Sequence, residues 1–453
     1  MSATRTRVNA GELYAVADRV LDRVPSDAEA EVIVVGGSEA LTRFATSFIH
    51  QNVADDVRRI SLRVARDGRV ASATASQTDD AAIDALVRST IDAAQLLPVD
   101  PGWPGLAPPS PAPDVDHWDD ATAVAEPAER ADRVRGFVDV ADGLETAGFC
   151  ATEGLVTVFA NSAGQRLDGR ATVASIDGIA RTPSSDGSGR ATSVALRDID
   201  GGTIGREAAR RAREAADPTD LEPGRYEVVL EPGCVTDILS FLAIHGFNGR
   251  AVEDGRSFVR LGEQQFDGAI TLHDDVTEPV SSGLGFDSEG TPKRRHEMVG
   301  RGVSTALIHD RRTAKALGAE STGHAVEGAT AFGALPLNLV LTPGKASRDQ
   351  LIANVRHGVL VTDFWYTRIL DPRTQVVTGL TRNGVWLIED GAVTRPLKNL
   401  RFTQSYAEAL APGAVLAVGA DQELVAGGTF GLGAYAVPSL HLASWNFTGG
   451  ARG

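Results

Sequence analysis

The sequence predicts an α+β protein: an N-terminal domain of mixed helices and strands, then a C-terminal antiparallel, strongly curved, barrel-like β domain. Three observations carry this. Apolar residues recur at helical spacing near the start, proline-rich punctuation breaks the chain twice, and short β-rich runs follow one another after Gly358. From Asn9, the residues Leu13, Val16, Ala17, Val20, Leu21 and Val24 lie on one helical face, and Asn9 with Glu12 three residues later forms a capping box. Glu31–Gly36 reads as a buried strand, and the alternation through Leu62 and Val64 into Asp67-Gly68, resumed at Val70, reads as a hairpin.

Between residues 97 and 127 prolines recur too closely for a helix or a central strand, so an exposed connection is expected there. A helix from about Pro127, a strand pair through Thr157 and Asn161, and a helix from about Gly205 to Ala216 complete the first domain, residues 1–220. Asp217-Pro218 and Glu222-Pro223-Gly224 mark the boundary. The second domain, residues 221–453, opens with the alternation Tyr226, Val228, Leu230 into Pro232-Gly233 and an apolar helix ending near His245-Gly246. Leu337, Leu339 and Leu341 alternate next, and Ser347 with Gln350 caps a short helix. Asn383-Gly384 and Asp390-Gly391 then predict hairpin turns between strands such as Val385–Ile388, and so many short strands in succession point to a partly closed barrel.

Composition narrows the function. The chain of 453 residues has 60 acidic against 44 basic side chains and a formal charge of −16, so a nucleic-acid backbone is repelled. Two cysteines, Cys150 and Cys234, are too few for a disulfide framework or a cysteine-rich zinc module and fit a reducing compartment. No apolar run approaches the ~18 residues needed to cross a bilayer and the start lacks a signal-peptide core, so a cytoplasmic protein is expected.

Several long motifs stand in order along the chain: Leu41-Thr-Arg-Phe-Ala45 with Ile49-His-Gln51, Asp310-Arg-Arg-Thr-Ala314 with Ser321-Thr-Gly-His-Ala325, Gly358-Val-Leu-Val-Thr-Asp-Phe-Trp-Tyr366, Asn383-Gly-Val-Trp-Leu-Ile-Glu389 and Lys398-Asn-Leu-Arg-Phe-Thr403. Together they resemble the TldD/PmbA family, most closely its PmbA or TldE branch. The resemblance implies a two-chain peptidase. One chain, of TldD type, holds zinc through a His-Glu-x-x-x-His motif and a later cysteine, and its TldE-type partner helps wall the cavity where peptides are cut.

That motif fails here in either register. Were His245 its first histidine, glutamate and histidine should stand where Gly246 and Arg250 are; were it the last, Ser240 and Phe241 would fill the earlier positions. His296-Glu297 begins correctly, but no histidine follows at the required spacing, and His309 and His324 could join it only if loops brought them together. A catalytic zinc needs three protein ligands, an open position and a nearby base. No cofactor is therefore expected on this chain, and zinc is expected on its partner. A serine or cysteine nucleophile is equally unsupported: no Gly-x-Ser-x-Gly elbow occurs, Ser240 and His245 diverge around a regular helix, and Cys234 has no adjacent basic residue.

No catalytic residue is assigned. Candidate substrate-binding residues are His245, Arg250, Arg256, Asp363, Tyr366 and Arg368. His245 is either a buried histidine with satisfied nitrogens or a donor lining the partner's cavity. Arg250 and Arg256 can hold a peptide carboxylate or form surface salt bridges. In Asp363–Arg368, strand alternation puts Asp363, Trp365 and Thr367 on one face and Phe364, Tyr366 and Arg368 on the other; one face would line a groove to which an extended peptide adds as a strand. The expected function is thus a zinc-free subunit completing a chamber with a TldD-type partner for proteolysis or peptide maturation. The alternative is a non-enzymatic peptide-binding or maturation protein acting without that partner.

Overall fold

The computed structural model describes residues 8–426 and 433–450. Helix α1 (Ala10–Leu21) starts where the Asn9 side chain accepts from Glu12 N at 3.0 Å. Three strands follow, β1 (Glu29–Ala45), β2 (Phe48–Arg66) and β3 (Arg69–Ala75), the last two joined by the expected turn at Asp67-Gly68, where both φ angles are positive. Next come α2 (Asp80–Leu96), α3 (Asp120–Ala123), α4 (Pro127–Asp139), β4 (Glu145–Asn161), β5 (Arg166–Arg181), β6 (Asp186–Ser193) and α5 (Gly201–Glu214). The strands form one antiparallel sheet in the order β3-β2-β1-β4-β5-β6. Alternate residues of β1, β2 and β4 (Val32, Val34, Ile60, Leu62, Val158) pack on Leu13, Ala17 and Val20 of α1 and Ile83 and Val87 of α2. The other end of the sheet packs on α4 and α5 through Phe44, Val134, Phe137, Ile176 and Ala208.

The proline-rich stretch has no regular element before α3, as its prolines dictate, but it is half-buried rather than exposed along much of its length. Asn161 Nδ2 donates to Ala107 O at 2.8 Å, and His117 Nδ1 lies 3.0 Å from Gly283 O, so the strap is tied to both halves of the chain.

The remaining elements are β7 (Gly224–Leu230), α6 (Pro232–Leu242), a π-turn over Ala243–Phe247, α7 (Gly249–Glu253), β8 (Leu272–Asp274), β9 (His296–Gly300), β10 (Val303–Ser304), α8 (Arg311–Leu317), β11 (Leu339–Leu341), α9 (Arg348–Ala353), β12 (His357–Asp371), β13 (Val376–Glu389), β14 (Ala392–Pro396), β15 (Leu400–Ser405), α10 (Tyr406–Ala409), β16 (Val415–Val418), β17 (Glu423–Ala426), β18 (Ala434–Val437) and β19 (Leu440–Gly450). Strands β12, β7, β19, β15 and β13 pair in that order, and β13 pairs back to β12, closing a five-strand barrel. Every pair in the ring is antiparallel except β7–β12, which run parallel from Gly358↔Glu227 to Val361↔Leu230. The α+β class and the curved, barrel-like C-terminal sheet are as the sequence predicts. A smaller sheet, β10-β9-β8-β11-β18-β17, stands beside the barrel.

Alternation along the barrel strands sorts side chains into two cores. Val228, Leu230, Val359, Val361, Val385 and Leu387 share one apolar cluster with α6, whereas Val229, Leu360, Trp386 and Ile388 pack with Leu351 and Ile352 of α9. Because α6 is surrounded, it is buried on all sides from Cys234 to Leu242, mostly apolar but with Thr236, Asp237 and Ser240 among its buried residues. One predicted turn is not a turn. Asn383-Gly384 lies inside β13 as a bulge opposite Thr362, with φ angles of 59° and 140°, while Asp390-Gly391 does turn the chain from β13 to β14. The positive φ that makes Asn-Gly a hairpin signal suits a bulge equally well. No described helix is long and apolar enough to cross a membrane.

Candidate functional site

The start of α6 is the place where both halves of the chain meet. Glu231-Pro232 ends β7 and starts the helix, proline being favourable at the first helical position. Gly233 follows because nothing larger fits: a Cβ there would stand 2.5 Å from Asp363 Oδ1 and 3.0 Å from Arg190 Nη1. Those two groups form a bidentate pair, Nη1 to Oδ1 at 2.6 Å and Nη2 to Oδ2 at 2.9 Å, and Ser188 Oγ donates to Asp363 Oδ2 at 2.9 Å. Arg190 and Ser188 belong to β6 and Asp363 to β12, so this ion pair joins the N-terminal sheet to the barrel. The neighbouring carboxylates of Asp363 and Asp177 outweigh the burial of Arg190 and raise its pKa.

Beside it opens a cavity of about 460 Å³, lined by Asp177, Gly233, Asp237, Asp363, Trp365 and Tyr366, with Arg368, Arg382 and Val425 among the other walls. Beyond Val361, β12 has a strand partner among the described residues on one side only, β13, and its register slips between Trp365 and Arg368. Tyr366 sits in that slip with φ of 53°, a left-handed conformation unusual for an aromatic residue. The slip breaks the predicted two-faced alternation. Asp363 and Thr367 turn inward, Phe364 stacks on Trp445 at 5.1 Å, and Trp365 and Tyr366 are both exposed, 54% and 65%. Arg382 lies 4.3 Å from the centre of the Trp365 ring and Arg368 4.3 Å from that of Tyr366, so each aromatic carries a stacked guanidinium. Among the described residues neither arginine has a carboxylate partner. In the adjoining cavity, by contrast, Arg211 meets Glu231 at 2.7 Å and Arg210 meets Glu207 at 2.7 Å.

Inside the cavity floor, Asp237 accepts from Thr367 Oγ1 at 3.0 Å and from Tyr406 OH at 2.9 Å. Burial, with Asp237 beside it, pushes the Tyr406 phenol well up. Cys234 is wholly buried and its thiol is pushed up by that burial and by nearby carboxylates, the opposite of what a nucleophilic cysteine requires. Ser240 Oγ donates along its own helix to Thr236 O at 2.8 Å.

Asp363, Tyr366 and Arg368 are thus brought to one cavity. His245, Arg250 and Arg256 are placed elsewhere, at the other end of α6. His245 sits half-buried in the π-turn, 5.6 Å from the Phe241 ring, and its pKa is lowered by burial and then by Arg256. Arg250 pairs with Glu253 at 3.0 Å and Arg256 with Asp254 at 2.5 Å, the surface salt bridges weighed above. Arg190 and Arg382 complete the site. Arg190 carried no local signal, standing 173 positions from Asp363.

Comparison with known proteins gives this geometry a family. Residues 223–449 match the model of the PmbA/TldA metallopeptidase C-terminal domain, and residues 30–94 match PmbA/TldA metallopeptidase domain 1. The chain belongs to the PmbA/TldD family. It is 28% identical over 223 residues to a metalloprotease of Methanothermobacter thermautotrophicus, covering 46% of each chain. Against the metalloprotease TldD homolog of Buchnera aphidicola it is 25% identical over 212 residues, 45% of this chain and 43% of the other. The match therefore spans less than half the length of either relative. TldE from Thermococcus kodakarensis shares the fold with a TM-score of 0.86 at 17% identity, over 96% of this chain and 99% of that one.

A zinc held at α6 with His245 as one ligand would need further ligands converging there, and the residues there do not fit it. His245 faces Phe241 and belongs to no group of three donors within metal reach. The described residues bring only His273, Asp275 and Glu278 that close together. Arg295 already stands against that trio, Nη1 lying 3.1 Å from Glu278 Oε1 and 3.7 Å from Asp275 Oδ2. The loops do bring His296 and His324 to 5.7 Å between ring centres. Yet His296 Nε2 lies 2.8 Å from Leu307 O, and His324 Nδ1 lies 2.8 Å from Thr322 Oγ1 while its Nε2 faces Asp274. Burial, with His324 beside it, lowers His296 to about 4.

Proposed function

We propose that this chain is the TldE/PmbA-like subunit of a cytoplasmic metallopeptidase, holding peptide and walling the chamber while a TldD-type partner supplies the zinc. The observation that carries the reading is the contrast between the two ends of α6. At its C-terminal end the side chains are a phenyl ring, an imidazole tilted against it and surface ion pairs, a donor set that cannot hold a hydrolytic metal. At its N-terminal end lies a cavity whose exposed aromatics and uncompensated arginines suit a peptide. In this role the strand segment after Val361 offers main-chain groups on the side that has no strand partner among the described residues. Trp365 and Tyr366 would cover the peptide's apolar parts, and Arg368 and Arg382 its carboxylates. The two free, buried cysteines are compatible with the reducing interior of a cell.

Replacing both Tyr366 and Arg368 by alanine tests the peptide-holding role. In peptide cleavage by the assembled pair, KM is expected to rise about tenfold, the loss of roughly 1.4 kcal/mol of binding, with kcat little changed. Unchanged KM would remove the cavity from the substrate path.

A further inference from the structure

A separate cavity, of about 580 Å³, opens between the proline-rich strap and the C-terminal domain. One wall is the strap itself, through Pro104 and Pro108. The others are the segment 290–296, helix α8 and the loop at Ser321 and Thr322. The motifs at residues 310–314 and 321–325, to which the cavity at α6 gives no role, both contribute here.

Its charge is one-sided. Arg294, Arg295, Arg311 and Lys315 line it against a single carboxylate, the exposed Glu320. Arg295 is already paired with Glu278 at 3.1 Å. Among the described residues, the other three side chains have no carboxylate within ion-pair distance. Arg311 and Lys315 stand one turn apart on the same face of α8 and reach only carbonyls of the strap. Arg311 Nη2 donates to Leu106 O at 2.8 Å, and Lys315 Nζ donates to Trp103 O at 2.6 Å and Pro101 O at 3.1 Å. The acids behind them are taken by other arginines, Asp100 by Arg312 and both Glu31 and Glu289 by Arg63. Arg294 is exposed and meets no acceptor among the described residues. In a chain carrying a charge of −16, three uncompensated cations around one hollow favour an anion there. His296 adds an acceptor. Its Nε2 donates to Leu307 O at 2.8 Å, so the neutral ring leaves Nδ1 without a proton, and no described residue donates to it.

We propose that this cavity binds a small hydroxylated phosphate monoester, of the sugar-phosphate class. A phosphate monoester carries about −1.5 to −2 charges at neutral pH and three strong acceptor oxygens. These suit Arg294, Arg311 and Lys315 together better than the single charge of a carboxylate does. A hydroxyl on the body of the ligand donates to His296 Nδ1, and Pro104 and Pro108 cover its C–H face. Because Arg311 and Lys315 also hold the strap, an anion bound between them fixes the strap against the C-terminal domain. The inference depends neither on where the zinc resides nor on the peptide-holding role of the cavity at α6.

Calorimetric titration of the full chain at neutral pH, with chloride at about 0.15 M to screen non-specific attraction, tests it with glucose 6-phosphate, inorganic phosphate and gluconate. Glucose 6-phosphate is expected to bind saturably, and about tenfold more tightly than inorganic phosphate or gluconate. Arg294→Ala is expected to weaken it about tenfold and Arg294→Lys to recover part of the loss. Arg294 makes no hydrogen bond or ion pair among the described residues, so its replacement leaves the fold untouched. Arg401→Ala, at an exposed arginine on the barrel strand β15, is expected to change nothing. Bound ester is also expected to slow amide hydrogen exchange over residues 102–107 of the strap. Absence of saturable binding overturns the proposal, as does inorganic phosphate or gluconate binding as tightly as the ester. So does an Arg294→Ala variant that binds like wild type or no better than Arg401→Ala, or exchange in the strap that the ester leaves unchanged.

Discussion

The barrel and the N-terminal sheet solve the same problem in different ways. In the barrel, β13 returns to β12, so the ring has no free edge and its interior is filled by α6 and by alternate strand residues. In the N-terminal sheet, helices cover the apolar face but among the described residues β2 has a strand partner on its outer side only from Ile60 to Arg66. Closure gives the barrel the rigidity to hold a strained residue, Tyr366, at the mouth of a cavity.

The largest expected effect tests the closed half. Trp445 is fully buried against Phe364, Phe402 and Tyr406, with ring centres 5.1–5.7 Å apart. Trp445→Ala is expected to cost about 3–5 kcal/mol in denaturant unfolding; a loss comparable to that of a surface substitution would mean that the barrel core is not the main support of α6.

The seam between the halves gives a pH-dependent effect of intermediate size. Glu31 of β1 is raised to about 7 by burial and by Glu289, with Arg63 and then Arg311 opposing. Arg63 of β2 contacts Glu31 and also reaches Glu289 Oε1 at 3.1 Å, and Arg311 N donates to Glu289 Oε2 at 2.8 Å. A carboxyl whose pKa is higher folded than unfolded holds an extra proton in the folded state. Between about 4.3 and 7 it therefore stabilises the low-pH side, and that contribution is lost as pH rises. Thermal unfolding across this window should show wild type falling relative to Glu31→Gln by up to about 1 kcal/mol per pH unit. Parallel curves would show that Glu31 titrates normally and that the seam is wetter than its geometry implies.

The smallest effect on stability sharpens the contrast at Tyr366. Tyr366→Gly removes the aromatic surface while allowing φ of 53° freely. Stability should change by less than about 1 kcal/mol, whereas peptide affinity should fall; a large loss of stability would assign Tyr366 to the fold rather than to the cavity.

Local chemistry made much of the fold legible. Asn9 capping α1, Asp67-Gly68, and the reciprocal Ser347 and Gln350 bonds of α9 all act within a few residues. Barrel closure was legible only as a tendency, since the β12–β13 and β7–β12 registers are set by packing across the chain. Helix α2 went unassigned although Asp79 caps it and Ile83, Leu86 and Val87 line its buried face. For the site, Asp363, Tyr366 and Arg368 could be grouped because they share one strand, yet their facing was misjudged because a bulge resets the alternation. Arg190 could not be found at all without the three-dimensional meeting of β6 and β12.

The account depends most on the zinc residing in another polypeptide. Its direct measurement is the zinc content of the purified chain after equilibration with the metal, together with peptide cleavage by the chain alone and mixed with a TldD-type subunit. The account predicts no stoichiometric zinc on this chain and cleavage only in the mixture. Stoichiometric zinc with cleavage by the chain alone would contradict it, and no cleavage in either case would favour a binding protein without peptidase function.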